Sequence, residues 1–484
     1  MDIKRFFLVA VVIASILVIT ACIRNPVTGR RQIMLISERQ EIAMGAEYDP
    51  QLVAAMGLYE NPKLQAYLEE KVREMGLISH RPHLKYHIRL LDSPVVNAFA
   101  VPGGYIYLTR GILAHFNNKA ELIGVIGHEM GHITARHTVS RMSNQTLAQL
   151  ALLGGMVASE SFRNYGELAM VGMQLLFLKY SRDDEREADR LGVEYTAKLG
   201  YDAIMFAEFY RLLQRMQLAA EHGGIPTFLS THPDPGNRYN DANRDAQKWK
   251  QELGFSHWKV NSKEYLLLID GIIFGDDPRQ GYVDGNTFYH PEMKFQFNIP
   301  QNWRLVNSPT SVQIFSPDQK ALLLLMHAPG NSLQEASGRM LEKLKLTLIS
   351  SEAVQLNGFN SLVTMSQLSQ NDPAKNQRVR TSFIDIGGSF LAFHAVSLES
   401  DFHNFVSTFN VSQNNFRILT DPARINVKPD VLRVKRVNTA GTVASVLRGL
   451  NVPTDRHNEI ALLNNLGLSD MLQAGKHVKI VEKQ

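Results

Sequence analysis

A helical metal-binding motif, His128-Glu129-Met130-Gly131-His132, constrains this chain more than any other sequence feature. On an α-helix, positions four apart differ by about 40° of rotation and one turn of rise, so both imidazoles reach one ion from the same face. A glutamate beside the first histidine is typical of zinc sites in which that glutamate is the general base. The motif predicts that His128 and His132 bind zinc and that Glu129 takes a proton from the attacking water.

A third ligand is expected downstream, because a catalytic zinc has three protein ligands and one position for water. The sequence from Glu185 to Asp189, which reads Glu-Arg-Glu-Ala-Asp, lies in a predicted helix that covers 184–199. Its two end residues lie on one helix face. We expect Glu185 to bind the ion and Asp189 to accept a hydrogen bond from a ligand histidine, which fixes the histidine tautomer. The alternative is a purely structural histidine pair.

Three neighbouring residues are expected to lie outside the metal site. The helix that carries the motif is predicted to cover 118–138. His137 follows His132 by five residues, about 140° around that helix, so we interpret it as a packed or capping histidine. Glu187 and Glu194 are most simply interpreted as solvent-facing charges.

The N-terminal residues have the layout of a bacterial lipoprotein signal peptide. Lys4 and Arg5 precede an apolar run, 6–21, that is shorter than the roughly 20 residues of a spanning helix. The run ends in Ile-Thr-Ala before Cys22, the only cysteine, and resembles a lipobox whose cysteine is acylated. We expect this lipid to anchor the mature chain in the outer membrane, facing the periplasm, since Ile23 gives no indication of inner-membrane retention. An uncleaved signal anchor is the alternative.

The composition argues against two classes of protein. With 44% hydrophobic and 20% charged residues, the chain resembles a globular protein and not a disordered one. The net charge of +4 is small for 484 residues, and no basic block alternates with aromatic residues, so nucleic acid is not an expected partner. This length favours two or three domains.

The sequence pattern divides the chain into a helical part and a strand-rich part. The helical part has capping signals and apolar residues at helical spacing, together with one predicted hairpin formed by 98–101 and 105–109. Past about residue 265, strand-like runs surround one helix, which predicts an α+β domain without an assigned function. The predicted divisions are a signal peptide (1–21), a linker (22–36), a metallopeptidase domain (37–264), the α+β domain (265–422) and a final unit (423–484).

Two stretches resemble a known peptidase family. The motif 128–132 and the segment 181–190, which reads Ser-Arg-Asp-Asp-Glu-Arg-Glu-Ala-Asp-Arg, resemble the gluzincins that include HtpX and the CAAX prenyl proteases. The segment 25–31, Asn-Pro-Val-Thr-Gly-Arg-Arg, follows Cys22 as in the periplasmic lipoprotein branch of that family. The resemblance covers about 22–250 and implies a zinc metalloendopeptidase that cleaves misfolded or misassembled envelope proteins. The chain lacks the spanning helices of the membrane-embedded members, which argues against prenylated substrates.

The resemblance also implies a substrate-binding edge. Asn97, Ala98 and Phe99, with the strand that follows Gly104, are similar to the strand along which relatives bind their substrates. An extended peptide would add there as a further strand, and backbone pairing would make cleavage tolerant of side chains. An ordinary hairpin is the alternative.

The resemblance also implies that a loop histidine lies near the metal. Thr231-His232-Pro233, followed by Arg238, resembles a family loop near the metal. In relatives this histidine approaches the zinc, where it either blocks the water position or stabilises the transition state. The resemblance therefore implies that His232 and Arg238 belong to the active site. The alternative is a loop histidine bonded to nearby backbone.

The C-terminal stretch 434–481 resembles a degenerate LysM-type module. Residues 442–447 match part of its first helix, 464–468 the turn after its second helix, and 475–480 its closing strand. Glycan binding does not follow from this resemblance, and contact with peptidoglycan, docking of an envelope protein and a structural role all stay open.

Taken together, these patterns predict a multidomain protein. Its parts are a mainly α-helical zincin catalytic domain with a small β-hairpin or sheet, then the α+β domain, then a small LysM-like α+β unit. One Zn²⁺ per chain and protein or peptide substrates are expected. Two other functions stay open. One is a chaperone or assembly factor with a mostly closed zinc site, and the other is a cell-wall-binding scaffold.

Overall fold

The computed structural model of this protein describes residues 22–153, 180–219, 227–232, 235–370 and 372–484. The predicted signal peptide lies outside the described residues, as do the predicted apolar run 168–178 and the end of the run 147–158. The described chain forms two compact units. One comprises 22–53, Gly57–Gly275 and Val431–Glu482, and the other is chiefly Asp276–Asp430. None of the helices in the described ranges combines the length and apolar character needed to cross a bilayer.

The first unit is mainly helical, as predicted. Ser37 and Gln40 form the predicted capping box, and Asn61 caps the next helix with Pro62 at its first position. The helices of this part are α1 (Glu38–Met56), α2 (Pro62–Ile78), α3 (Arg110–His115), α4 (Lys119–Thr134), α5 (His137–Leu153), α6 (Arg182–Lys198), α7 (Ile204–Ala219), α8 (Thr227–Thr231), α9 (Pro235–Leu253) and α10 (Ser262–Ile269).

The predicted linker contains an ordered hairpin. Strands β1 (Cys22–Arg24) and β2 (Arg31–Ile33) pair antiparallel. Between them, the Asn25 carboxamide oxygen accepts hydrogen bonds from two following backbone N–H groups at 2.7 and 3.1 Å, which closes the turn. The Asn25 side-chain nitrogen donates to the carbonyl of Ala135 at 3.3 Å, and Asn25 is buried. The interpretation of 22–36 as a linker was therefore wrong for this segment.

A three-stranded sheet accompanies the helices. Strands β3 (His87–Leu91), β4 (Ala98–Val101) and β5 (Tyr105–Thr109) have the order β3-β5-β4. The antiparallel β4–β5 pair is the predicted hairpin, and β3 runs parallel to β5. The turn requires glycine at Gly104, because its φ is +98° and a Cβ would lie 2.3 Å from the carbonyl oxygen of Lys85. Strand β4 is thus an edge of this sheet.

The second unit has the predicted α+β character. A seven-stranded antiparallel sheet has the order β10-β11-β12-β16-β15-β14-β13, and a smaller sheet has the order β17-β9-β8-β7. Strand β6 (Ile273–Phe274) precedes this unit. The elements of the unit are β7 (Tyr282–Asp284), β8 (Thr287–His290), β9 (Phe295–Asn298), β10 (Arg304–Ser308), β11 (Ser311–Phe315), β12 (Ala321–His327), α11 (Leu333–Lys343), β13 (Thr347–Leu356), β14 (Phe359–Leu368), β15 (Gln377–Asp385), β16 (Phe390–Leu398), α12 (Phe402–Gln413), β17 (Arg417–Ile418) and α13 (Pro422–Ile425).

The C-terminal segment folds as part of the first unit and is not a separate body. Its strands and helices share the apolar core of the first unit, and the buried Lys479 donates hydrogen bonds to the carbonyls of Ala114 and Phe116 at 2.8 and 2.9 Å. The unit boundaries, near 275 and 430, therefore differ from the predicted boundaries at 264 and 422. The elements are β18 (Asp430–Arg436), β19 (Gly441–Thr442), α14 (Val443–Gly449), α15 (His457–Leu463), β20 (Met471–Leu472) and β21 (His477–Lys483).

Candidate metal centre

Helix α4 presents the two motif histidines on one face. The Nε2 atoms of His128 and His132 lie 3.1 Å apart, and both side chains are buried. Helix α6 packs closely on this helix at a glycine, since a Cβ on Gly131 would lie 3.1 Å from the Cα of Ala188. This contact allows a side chain of α6 to reach the histidines.

Glu185 is that side chain. Its carboxylate oxygens lie 3.6 Å from Nε2 of His128 and 3.5 Å from Nε2 of His132. Metal–ligand bonds of about 2.1 Å in a tetrahedral site place neighbouring ligand atoms roughly 3.4 Å apart. The two histidines and the glutamate therefore fit one metal ion, and their donor set of two nitrogens and one carboxylate suits zinc. Burial lowers the pKa of His132, which favours the neutral ring that binds metals.

His232 belongs to the same cluster. With His128, His132 and Glu185 it forms a buried group whose ligand atoms all lie within 4.8 Å of one another. Its Nδ1 atom lies 3.2 Å from Nε2 of His128 and 2.9 Å from a carboxylate oxygen of Glu185. The loop that carries His232 is thus turned inward, and the histidine has the spacing of a fourth ligand.

Glu129 faces the cluster without a hydrogen-bond partner among the described residues. Both of its carboxylate oxygens are buried, and the nearer one lies 3.5 Å from Nε2 of His232. Burial raises the pKa of Glu129, although the neighbouring His232 acts in the opposite direction. A buried carboxylate with free lone pairs is the arrangement that a general base toward a water molecule requires.

Asp189 supports His128 from behind, as predicted. Its carboxylate lies 2.9 Å from Nδ1 of His128, the ring nitrogen directed away from the cluster. Arg238 donates to both oxygens of the same carboxylate at 2.7 and 2.6 Å. Burial raises the pKa of Asp189, but the charge of Arg238 and the hydrogen bonds outweigh it and hold that pKa well below its usual range. Tyr210 also donates to Asp189, and no sequence pattern marked it because it lies within an ordinary helix.

Glu187 and Glu194 are not both placed as the sequence predicted, whereas His137 is packed and lies outside the group of possible metal ligands, as expected. Helix α4 ends at Thr134 because the chain turns at Arg136, whose φ is +59°, and α5 begins at His137. His137 is buried against His132, and Glu187 accepts a hydrogen bond from His137. Glu194 is also buried and accepts hydrogen bonds from Lys198 and Arg190. The interpretation as solvent-facing was wrong for Glu194, which is buried and paired with the basic side chains of Lys198 and Arg190, whereas 19% of the Glu187 side chain is exposed.

The predicted substrate edge lies beside the motif helix and is covered. Asn97, Ala98 and Phe99 are buried, and the ring of Phe99 stacks on Tyr107 with centroids 4.8 Å apart. At the start of this edge, the backbone N–H of Phe228 in α8 donates to the carbonyl of Val96 at 3.1 Å. The Phe228 ring also stacks on His232 at 4.5 Å. One short helix therefore contacts both the edge strand and the histidine in the metal cluster.

Comparison with known proteins identifies the region around this cluster. Residues 62–246 match the model of Peptidase family M48. The beta-barrel assembly-enhancing protease of Yersinia pestis is 27% identical over 241 residues, which are 48% of this chain and 48% of that protein. The protein of the same name from Escherichia coli is 28% identical over 225 residues, 44% of this chain and 45% of that protein.

A eukaryotic protein is similar to this chain over about the same share of its own length. The mitochondrial metalloendopeptidase OMA1 of Bos taurus is 26% identical over 239 residues, 46% of this chain and 45% of that protein. The chain thus spans about half the length of these curated relatives. The matched segment contains both motif histidines, Glu129, Glu185 and His232, so the buried cluster lies within the part of the chain that is similar to metallopeptidases. Over residues 62–246 the chain is thus similar to Peptidase family M48.

Proposed function

We propose that the protein is a zinc-dependent metalloendopeptidase. The observation that carries this proposal is the buried cluster of two Nε2 atoms and one carboxylate at tetrahedral spacing, beside a buried carboxylate that has no hydrogen-bond partner in the described part of the chain. A structural metal site is saturated by its ligands, whereas a catalytic site also needs a base close to the open position. Glu129 is that base. Names of relatives that denote proteases and metalloendopeptidases support the same function.

Each residue of the site has a distinct role in the proposed reaction. Zinc, when bound, polarises the scissile carbonyl and acidifies its water. His128, His132 and Glu185 hold the ion, and Glu129 accepts the water proton and delivers it to the leaving amine. Asp189 keeps the proton of His128 on Nδ1, so that Nε2 faces the ion.

His232 makes the site a gated one. Its Nδ1 atom has the distances of a fourth ligand, which would occupy the position that water needs. The same short helix, α8, also bonds to Val96, two residues before β4, at the start of the edge where a peptide would pair. We propose that the structure represents a closed state and that substrate binding displaces α8 and His232 together. Displacement would expose the water position and the backbone of β4 in one step.

The closed cluster also favours a second candidate function. A chaperone or assembly factor whose metal site stays closed would bind unfolded chains without cleaving them. Casein digestion by the wild-type protein and by Glu129→Gln separates the two functions, because the substitution removes the base but keeps the shape. The endopeptidase loses about 10²- to 10⁴-fold in rate, the usual contribution of a general base. Equal and near-zero turnover in both proteins supports the binding function.

The substrates are proposed to be misfolded or misassembled proteins of the bacterial envelope. The named activity of the relatives from Yersinia pestis and Escherichia coli supports this class. Pairing along β4 would use the backbone of the substrate, so cleavage would depend on an exposed extended segment more than on side chains. Proteins that accumulate on a Glu129→Gln trap, identified by mass spectrometry, test this class. A trap that captures folded cytoplasmic proteins at the same level as envelope proteins contradicts it.

The location is proposed to be the periplasmic side of the outer membrane, in the manner of the lipoprotein branch of the HtpX-like gluzincins. The lipobox before Cys22 supports acylation, and two acyl chains give stable anchoring. The hairpin β1–β2 directly after it is attached to the end of α4 through Asn25. Cys22→Ser is expected to abolish labelling by a radioactive fatty acid and to leave the precursor unprocessed. A labelled variant would contradict acylation at this residue.

The C-terminal segment 431–482 is proposed to be a LysM-like unit that supports the catalytic region. Its strand–helix–helix–strand order and the resemblance of 434–481 support the kinship, and the burial of Lys479 supports the structural role. Contact with peptidoglycan is a further outcome to test. Retention of the full chain on purified peptidoglycan, lost after substitution of exposed residues such as Met471, would add glycan binding to the role of this unit.

A further inference from the structure

A buried chain of hydrogen-bonding side chains leads away from one of the metal ligands. The Nδ1 atom of His132 lies 2.9 Å from Nδ1 of His137, and Nε2 of His137 lies 3.2 Å from a carboxylate oxygen of Glu187. Both histidines are about 2% exposed or less, whereas 19% of the Glu187 side chain is exposed. This chain of hydrogen bonds therefore begins inside the metal cluster and ends at a glutamate whose side chain is partly exposed.

The chemistry of the metal ligand fixes the proton positions along this chain. A neutral histidine that binds a metal through Nε2 carries its proton on Nδ1. The Nδ1–H of His132 is then the donor, and Nδ1 of His137 must be the acceptor. The proton of His137 is consequently on Nε2, from which it donates to the carboxylate of Glu187. Each link thus has one donor and one acceptor.

The backbone turn at the end of α4 holds His137 in this place. Arg136 has a φ of +59°, which reverses the chain and returns the next residue toward His132. Contacts with distant parts of the sequence hold that turn. Arg136 donates to the buried carboxylate of Glu41 at 2.8 Å, and Asn25 of the N-terminal hairpin donates to the carbonyl of Ala135 at 3.3 Å. His137 is thereby held by residues that are distant in sequence and that do not contact the metal cluster.

The two ligand histidines are supported by different means. His128 contacts the carboxylate of Asp189 directly, and that carboxylate is neutralised by Arg238. On its Nδ1 side, His132 contacts His137, whose Nε2 atom lies 3.2 Å from Glu187 and, as a weaker second contact, 3.8 Å from Asp184. Metal-binding histidines are oriented by such partners, whose removal lowers metal affinity about 10- to 100-fold.

We propose that His137 is a positioning residue of the metal centre and that Glu187 completes its support. His137 holds the ring of His132 with Nε2 toward the ion and raises the basicity of that nitrogen. The inference rests on the proposed metal site and names a part of it that neither sequence spacing nor the family match assigns.

Two substitutions at His137 separate this role from simple packing. His137→Phe preserves the size and shape of the ring but removes the acceptor. His137→Asn loses ring volume but places its Oδ1 near the former Nδ1 atom, where it accepts from His132. Support by hydrogen bonding predicts that Phe weakens zinc binding more than Asn does, and packing alone predicts the reverse order.

The experiment measures zinc affinity of the full protein by competition with a chromogenic chelator, alongside the visible spectrum of the cobalt(II) form. We expect zinc affinity to fall about 10- to 100-fold for His137→Phe and less than 10-fold for His137→Asn. The zinc affinity of Glu187→Gln is expected to lie between the affinities of the two His137 variants. The matched control is Glu194→Gln, another buried carboxylate of α6 that does not contact His137, which is expected to keep wild-type affinity.

The inference is overturned if His137→Phe keeps wild-type zinc affinity and cobalt spectrum, or if Phe and Asn weaken binding equally. Circular dichroism of the metal-free proteins shows whether each variant is folded, and His137→Asn is the folded comparison if the Phe variant is not. These results are distinguishable from failure of the proposed function. A wild-type protein without stoichiometric zinc contradicts the proposed function, whereas a zinc-loaded wild type with an equally tight Phe variant contradicts only the inference.

Discussion

His232 and Glu185 lie with Nδ1 and a carboxylate oxygen 2.9 Å apart inside the metal cluster, although they are separated by 47 residues in sequence. Both side chains are buried, and Nδ1 of His232 also lies 3.2 Å from Nε2 of His128. A histidine at this spacing leaves no room for the water that hydrolysis needs. We therefore expect the hydrolytic activity of the proposed site to depend on the position of this loop.

Removing His232 is expected to increase peptidase activity. His232→Ala keeps His128, His132 and Glu185 as ligands and opens the fourth position to water, so casein hydrolysis is expected to rise several-fold while one zinc per chain is retained. Steady-state rates and metal analysis of the same preparation measure both effects. A fall in kcat with unchanged zinc content would show instead that His232 stabilises the transition state, as the alternative interpretation of this loop holds.

Removing the charge of Asp189 is expected to weaken the metal site. Asp189→Asn cannot hold the proton of His128 in the same way and leaves Arg238 with Glu185, 2.8 Å away, as its remaining carboxylate partner. Zinc affinity is expected to fall about 10- to 100-fold. The matched control is Asp183→Asn, an exposed aspartate of the same helix, which is expected to bind zinc like the wild type. If Asp189→Asn bound zinc as tightly as the wild type, Asp189 would not be a residue that positions His128.

Much of this site follows from the sequence alone because its ligands are set by local helix geometry. The spacing of His128 and His132 requires a common helix face, and the capping residue Asn118 fixes where that helix begins. The turn at Arg136 does not follow, since a non-glycine residue with positive φ has no sequence signal and depends on distant partners such as Glu41. For the same reason, the sequence does not predict where His137 lies.

The N-terminal hairpin and the C-terminal segment show the same limit. Asn25 and Lys479 both make their defining contacts more than 100 residues away in sequence, with Ala135 and with Ala114. Periodicity reports which face of an element is buried, but it does not report which other element covers that face. In the second unit, strand β13 was not predicted because most of its residues are exposed on both faces and give no alternating pattern.

The buried Lys479 is expected to give the first unit a specific pH dependence. Burial lowers its pKa to about 7, although the nearby Glu121 acts in the opposite direction. In the unfolded chain this lysine has its ordinary pKa of about 10.4. Between pH 7 and 9 the unfolded state therefore binds more protons, so the contribution of Lys479 to stability rises with pH by about 1 kcal/mol per pH unit.

Urea unfolding of the metal-free wild type and of Lys479→Met at pH 7, 8 and 9 measures this dependence. The stability difference between the two proteins is expected to grow in favour of the wild type as the pH rises. Lys476→Met, in the exposed turn before the same strand, is the control and is expected to show no change with pH. A difference that is constant or shrinks from pH 7 to pH 9 would contradict the shifted pKa of the buried lysine.

The most direct measurement is zinc content and casein hydrolysis in the same preparations of wild type, Glu129→Gln and Glu185→Ala. We predict one zinc per chain and hydrolysis for the wild type. Glu129→Gln should retain the zinc while hydrolysis falls at least 100-fold, and Glu185→Ala should lose both. Folded wild-type protein that holds no metal, or a Glu129→Gln variant that hydrolyses casein at the wild-type rate, would contradict the assignment of this cluster as a peptidase site.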